Sequence, residues 1–165
     1  MMFSDTLIQA ATDLLAMCRA RRLTIATAES CTGGLIGALL TEIPGSSDVF
    51  ECGFASYSYA AKTNQLGVSK EMIVSRGAVS EEVALAMAIG ARARSGASMA
   101  VAVTGIAGPG GGTPEKPVGM VCLAVASQHG SDVVTCQFTG DRSSVRLQSV
   151  AKALEMLRAA MSSFS

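Results

Sequence analysis

Between Ser4 and Ala20 the apolar residues Leu7, Ile8, Ala11, Leu14, Leu15 and Cys18 recur every three or four positions, the period of one helical face. The spacing predicts an amphipathic helix, with Ser4 or Asp5 capping its first turn. After Arg21-Arg22 the pattern changes: "LTIATAE" (23–29) is short and β-branched, as a buried strand is. "CTGGLIGALLTEI" (31–43) returns to a helical period and is stopped by Pro44-Gly45. A second strand is predicted over Val49–Tyr59, then a helical turn in "AAKTNQLG" ending near Gly67, which puts Lys62 just past the strand's end.

"SKEMIVSRG" reads as a short helix. "SEEVALAMAIGARARSG" reads as a long one, with Ser80 as cap, Glu81 and Glu82 early, Arg92 and Arg94 late, and Gly96 at its end. "SMAVAVTG" and "VGMVCLAVAS" are buried-looking strands on either side of a loop from Ile106 to Pro117, and "VVTCQFTG" is a further strand. The last two predict a hairpin across Gln128 to Asp132, and Asp141 to Met161 a closing helix capped by Asp141. Helices alternating with strands, then two strands in close succession, predict a three-layer α/β/α sandwich with a mixed, mostly parallel sheet.

The 165 residues suit a single domain over 1–165. Aromatic rings are 4% of the chain and Ala, Gly and Met are plentiful, so helices should pack closely on the sheet through small residues and base-stacking platforms are not expected. Thirteen basic residues balance thirteen acidic ones, so net charge leaves no footprint for nucleic acid or an anionic membrane. The N-terminal residues lack a signal-peptide pattern, and no apolar run approaches the roughly 18 residues of a membrane span; a cytoplasmic protein is expected. Five scattered cysteines without a C-x-x-C pair, and one histidine, argue against a disulfide framework and a metal site.

Three loops follow predicted strand ends, where sites gather in such sheets: Glu29 to Gly34, Tyr57 to Lys62, and Thr104 to Gly112. In "AESCTGG" a serine and a cysteine stand at a strand-to-helix turn. There, unpaired N–H groups of the helix start favour developing negative charge. Gly33 and Gly34 allow close approach to the backbone. Ser30 or Thr32 can equally be an N-cap, and Cys31 a small buried hydrophobe or a thiolate held by the same helix end.

His129 falls in a polar turn away from all three loops, which makes a Ser-His-Asp triad a poor fit. A desolvated lysine is the other available base, and Lys62 fits better than Lys70 or Lys152. Tyr57 and Tyr59, two apart on one strand, share a face. "TGIAGPGGGTPEKPVG" matches neither a P-loop nor a dinucleotide fingerprint. It reads as a substrate-shaping loop, with Thr104 and Gly105 offering hydroxyl and amide contacts and the Gly/Pro segment acting as a lid. Arg142, opening the last helix, has the chemistry to meet a phosphate or carboxylate.

In order, "AESCTGG", "GFASYSYAAKTNQLGV", "GAVSEEVA", "VTGIAGPGGGTPEKPVG" and "FTGDRSSVR" closely resemble the CinA C-terminal-domain family, whose stand-alone members are nicotinamide-nucleotide amidases. The resemblance runs over nearly the whole chain. It implies hydrolysis of nicotinamide mononucleotide to nicotinate mononucleotide and ammonia in pyridine-nucleotide salvage, with no cofactor or metal, a three-layer α/β/α fold and a homodimer.

Position by position, it puts the family's serine on Ser30, its lysine on Lys62, its tyrosine on Tyr57 and its loop threonine on Thr104. Backbone groups at Cys31, Thr32, Gly33 and Gly34 would form the oxyanion site. Ser47, Gly105, Ile106 and Arg142 would bind substrate, with Ser47 and Arg142 toward the ribose phosphate. Where the family often has Tyr-Ser-Asn, this chain has Tyr57-Ser58-Tyr59, a phenol in place of an amide near Lys62. Three rivals remain at this level: Cys31 as nucleophile, a nucleotide-binding regulatory module without catalysis, and a related amidase with another pyridine nucleotide or amide substrate.

Overall fold

Side chains on the central strands alternate between bulky and small, and this alternation builds the two helical layers. In the computed structural model, which describes residues 2–164, β1 (Ile25–Glu29), β3 (Met99–Gly105) and β4 (Met120–Ser127) lie inside a five-stranded sheet. Its edges are β2 (Phe50–Ala55) and β5 (Gly130–Gln137), giving the order β2-β1-β3-β4-β5. On one face Ile25, Met99, Val101, Val103, Val121, Leu123 and Val125 pack with residues of α1 (Asp5–Ala20), α2 (Leu35–Glu42) and α6 (Arg142–Ala160).

The opposite face presents Ala26, Ala28, Ala100, Ala102, Ala124 and Ala126 to α5 (Glu81–Ser95), itself lined with Ala84, Ala88 and Ala91. Small residues on both surfaces bring α5 close to the sheet, as the composition suggests. The short helices α3 (Tyr59–Leu66) and α4 (Lys70–Arg76) lie beside α5 on that face, contributing Leu66 and Ile73. Gly90 of α5 sits against the Leu66 carbonyl, which a Cβ would overlap.

β1 pairs parallel with both β2 and β3, β4 runs antiparallel to β3, and β5 antiparallel to β4. Four strands therefore share one direction and β4 alone is reversed, so the sandwich is the mixed α/β/α fold expected. Register sets the site: Glu29 pairs with both Ala55 and Val103, so β1 and β2 end level while β3 runs on against β4 through Thr104 to Gly105. The ladder runs one step further, with Ser30 N–H donating to the Val103 carbonyl and Ser56 N–H to the Glu29 carbonyl, each at 2.9 Å. The residues that follow these strands are thereby brought side by side.

Helix boundaries follow the sequence signals where a cap is present. Ser4, Ser80 and Asp141 each accept a backbone N–H three residues on, and Gly67 and Gly96 end α3 and α5 in left-handed geometry. Two boundaries differ. The second strand stops at Ala55 instead of Tyr59, because Ser58 caps a new helix by accepting from Ala61 N–H. The second helix starts at Leu35 instead of Cys31, because Gly33 and Gly34 have φ of 58° and 106°, which α-helical residues do not adopt. The hairpin turn is tighter than expected, with β5 already under way at Gly130.

Candidate active site

Ser30 lies between β1 and a tight turn whose Gly33 N–H donates to the Ser30 carbonyl at 3.0 Å. Neither Ser30 nor Thr32 caps α2. The N-cap is Gly34, which has no side chain to offer, and the first helical N–H groups donate instead to the carboxylate of Glu29. That carboxylate, only 2% exposed, accepts from Ile36 N–H at 2.8 Å, Gly37 N–H at 3.0 Å and the Thr32 hydroxyl at 2.7 Å. Negative charge at the end of α2 also meets the helix dipole favourably. The Cys31 and Thr32 N–H groups have no acceptor among the described residues.

Because Glu29 satisfies three donors in a buried setting, Glu29→Ala is expected to lower stability by about 2–4 kcal/mol. Chemical denaturation checks it at unchanged m-value; a loss under about 0.5 kcal/mol would mean that the cap does not hold the turn.

Lys62 does not follow a strand. It stands one turn into α3, 1% exposed, with Nζ donating to Ser30 Oγ at 2.9 Å, the Ser56 carbonyl at 2.9 Å and the Tyr57 carbonyl at 3.2 Å. The capping of α3 by Ser58 turns the chain back so that its inner face carries Lys62 under the Ser30 hydroxyl. All three acceptors are neutral, and burial lowers the pKa of the ammonium from its ordinary lysine value. Cys31 has the opposite environment for reactivity: burial pushes its thiol up to about 11, despite the Arg146 charge nearby. At neutral pH it is a thiol.

Ser30 and Lys62 open onto a cavity of about 380 Å³, lined also by Cys31, Tyr57, Tyr59, Thr104 and Arg142. Thr104 is 1% exposed and donates its hydroxyl proton to the Ala78 carbonyl at 2.8 Å, leaving its lone pairs for a donor in the cavity. Tyr57 and Tyr59 do not share a strand face: Tyr57 lies in the β2–α3 turn and Tyr59 opens α3, both exposed at the rim. Tyr57 Oη accepts from Arg142 Nη2 at 3.1 Å, and Arg142 Nη1 donates to the Gly108 carbonyl at 2.8 Å. Tyr59 makes none of the Lys62 hydrogen bonds.

Gly105 and Ile106 line the cavity as expected, and Gly111, Thr113 and Lys116 of the glycine-rich segment predicted to act as a lid line it too, the segment being tied to the rest of the domain at three points. Ile106 bonds to Met120 and Gly119 at its base, Arg142 holds Gly108, and Lys116 Nζ donates to the Arg76 and Val79 carbonyls at 2.6 and 2.7 Å. Ser47 is not brought to this cavity. It sits in the 3-10 turn Ser46–Asp48 before β2, at the other end of the sheet, where Arg19 of α1 binds Asp48 and the Gly45 carbonyl. His129 lies in the β4–β5 turn with its ring edge against Phe164, also away from Ser30.

The CinA C-terminal domain family model matches residues 7–161. The chain belongs to the CinA C-terminal domain family. A CinA-like protein of Anaeromyxobacter sp. strain K is 50% identical over 148 residues, covering 90% of this chain and 36% of that protein. A putative competence-damage inducible protein of Symbiobacterium thermophilum is 50% identical, over 93% of this chain and 38% of its own length. The chain thus spans little more than a third of these curated relatives. Among solved structures, the competence/damage inducible protein CihA of Agrobacterium tumefaciens superposes with a TM-score of 0.91 at 48% identity, covering 95% of this chain and 96% of that one. The competence damage-inducible protein A of Klebsiella pneumoniae gives 0.93 at 31% identity, covering 96% and 99%.

Within this CinA-type domain, sequence reasoning missed three residues. Glu29 reads as the last residue of a strand, Arg146 as an ordinary position on α6, and Lys116 as part of a loop. Each acts on the backbone of a distant segment. Only the concentration of motif residues around Glu29 signals a role for it in the sequence.

Proposed function

We propose that this CinA-type domain hydrolyses the carboxamide of nicotinamide mononucleotide to nicotinate mononucleotide and ammonia. The observation that carries this reading is the buried Lys62 Nζ, 2.9 Å from Ser30 Oγ and held only by neutral acceptors. Burial makes such an amine easier to deprotonate than a solvated lysine, so it can serve as base to a hydroxyl nucleophile.

Lys62 takes the Ser30 proton as Oγ attacks the carboxamide carbon, and the carbonyl oxygen becomes an oxyanion beside the turn whose Cys31, lining the cavity, and Thr32 have free N–H groups to stabilise it. Gly33 is not among the donors, since its N–H is taken by the Ser30 carbonyl. The carbon–nitrogen bond then breaks and the proton on Lys62 goes to the leaving nitrogen, which departs as ammonia. Thr104 Oγ1 accepts a carboxamide N–H and so orients the group. Water, deprotonated by Lys62, attacks the acyl ester, and the proton returns to Ser30 as nicotinate mononucleotide leaves. No step calls for a metal or cofactor. A homodimer working in the cytoplasm belongs to the same proposal.

Arg142 would meet the substrate phosphate. Its guanidinium holds only the Gly108 carbonyl and the Tyr57 hydroxyl, neither of which neutralises it. Measuring ammonia release from nicotinamide, its riboside and its mononucleotide tests the proposal. The mononucleotide should be preferred, and Arg142→Ala should raise its KM about 10- to 100-fold while sparing the riboside. Equal turnover of riboside and mononucleotide would refute the phosphate subsite. Nucleotide binding without ammonia release at high protein concentration would favour a regulatory module over an enzyme.

A further inference from the structure

We infer that Arg146 is the positioning residue that fixes the turn after Ser30, where Cys31 lines the cavity and the Cys31 and Thr32 N–H groups are left free, an inference that rests on the amide hydrolysis proposed above. Arg146 lies on α6, one turn beyond Arg142, and is half-buried. Its Nε donates to the Cys31 carbonyl at 3.0 Å and its Nη2 to the Thr32 carbonyl at 3.1 Å. No carboxylate lies within salt-bridge distance of it among the described residues. A cation whose acceptors are two consecutive carbonyls of the turn after the nucleophile places its whole charge on that turn.

Peptide geometry turns this contact into a constraint on the opposite side. In a trans peptide the C=O and N–H point in opposite directions. The Cys31 carbonyl shares its peptide with the Thr32 N–H, so fixing the carbonyl on α6 aims that N–H away from α6. The preceding peptide is fixed in the same sense, because the Ser30 carbonyl accepts from Gly33 and the unpaired Cys31 N–H points the other way. Regular helix begins only at Leu35, so residues 31–34 draw little support from α2. Glu29 holds the Thr32 side chain from the sheet side and Arg146 holds the carbonyls from α6. A positive charge at the carbonyl end also polarises these peptides, making their N–H groups better donors. The same charge acts on the Cys31 thiol, lowering it against the larger effect of burial.

Arg146 reaches the two carbonyls from two separate nitrogens, Nε and Nη2, held in one plane, a spacing that a single ammonium nitrogen does not reproduce. Arg146→Met in the full chain should therefore lower kcat for ammonia release from nicotinamide mononucleotide by about 10- to 100-fold, less than the loss of an oxyanion donor outright. KM should stay within about twofold, and Arg146→Lys should recover only part of kcat, since the donors act on the transition state and not on the bound amide. Unchanged kcat in Arg146→Met, or a loss matched by weaker binding of nicotinate mononucleotide in calorimetry, would overturn the inference. Amide resonances of Cys31 and Thr32 give a readout independent of turnover: in Arg146→Met they should shift and exchange faster with solvent. Unaltered resonances would overturn the placement whether or not the chain is an amidase. A wild-type chain that releases no ammonia, with those resonances still dependent on Arg146, would refute the amidase reading and leave the brace standing.

Discussion

Replacing Ser30 by alanine is expected to lower ammonia release from nicotinamide mononucleotide by at least about 1,000-fold, with the fold intact. Loss of a nucleophile removes the covalent route and leaves only binding and oxyanion stabilisation. The fold should tolerate the change because, among the described residues, the only side-chain hydrogen bond of Ser30 is to Lys62, whose amine retains the Ser56 and Tyr57 carbonyls. Cys31→Ala should by contrast keep turnover within about threefold. The Cys31 thiol, pushed up to about 11 by burial, supplies almost no thiolate at neutral pH. The two variants separate neighbouring nucleophiles: turnover retained in Ser30→Ala and lost in Cys31→Ala would transfer the role to the cysteine. Circular dichroism and the denaturation midpoint of each variant exclude unfolding as the cause.

The neighbouring residues also mark where sequence is readable. Ser30, Lys62, Tyr57 and Thr104 converge because β1 and β2 end beside the carboxyl end of β3, which alternating pattern and strand-end loops together predict. The details that decide chemistry lie in the turns. Gly33 and Gly34 invite close approach, but that they delay α2 to Leu35 is a matter of φ, which residue type permits without dictating. "SYSYAAK" carries β-favouring tyrosines, and only the Ser58 cap, itself a local competition between strand and helix, decides for helix at Tyr59. Placing Lys62 beneath Ser30 depends on that decision.

Long-range backbone contacts are the least readable. Glu29 at the end of β1 caps a helix that begins six residues later, and Arg146 reaches across 115 positions to the Cys31 carbonyl. Nothing in the spacing of an arginine along a helix names its acceptor. Ser47 illustrates the converse: position-by-position matching assigned it to the phosphate, while chain direction puts the start of β2 at the far end of the sheet.

Lys62→Met is expected to lower turnover by about 100- to 10,000-fold, the range of a positioned general base, and to change how stability depends on pH. Burial lowers the folded-state pKa of Lys62 below its unfolded value of 10.5. Between those two values the unfolded chain binds a proton that the folded chain does not. Stability of the wild type therefore rises with pH through that window, and the penalty of burying the cation is full below it and gone above it. Lys62→Met should lack this rise, since methionine does not titrate. The rate has the same origin: kcat/KM should climb with pH as Lys62 loses its proton and level off above its folded-state pKa. Lys62→Arg discriminates the two things a lysine can supply. Arginine keeps the positive charge and cannot give up its proton in this range, so a base requirement leaves this variant as inactive as Lys62→Met. Substantial recovery in Lys62→Arg would mean that Lys62 acts as a fixed cation, and the proton of Ser30 would then need another acceptor.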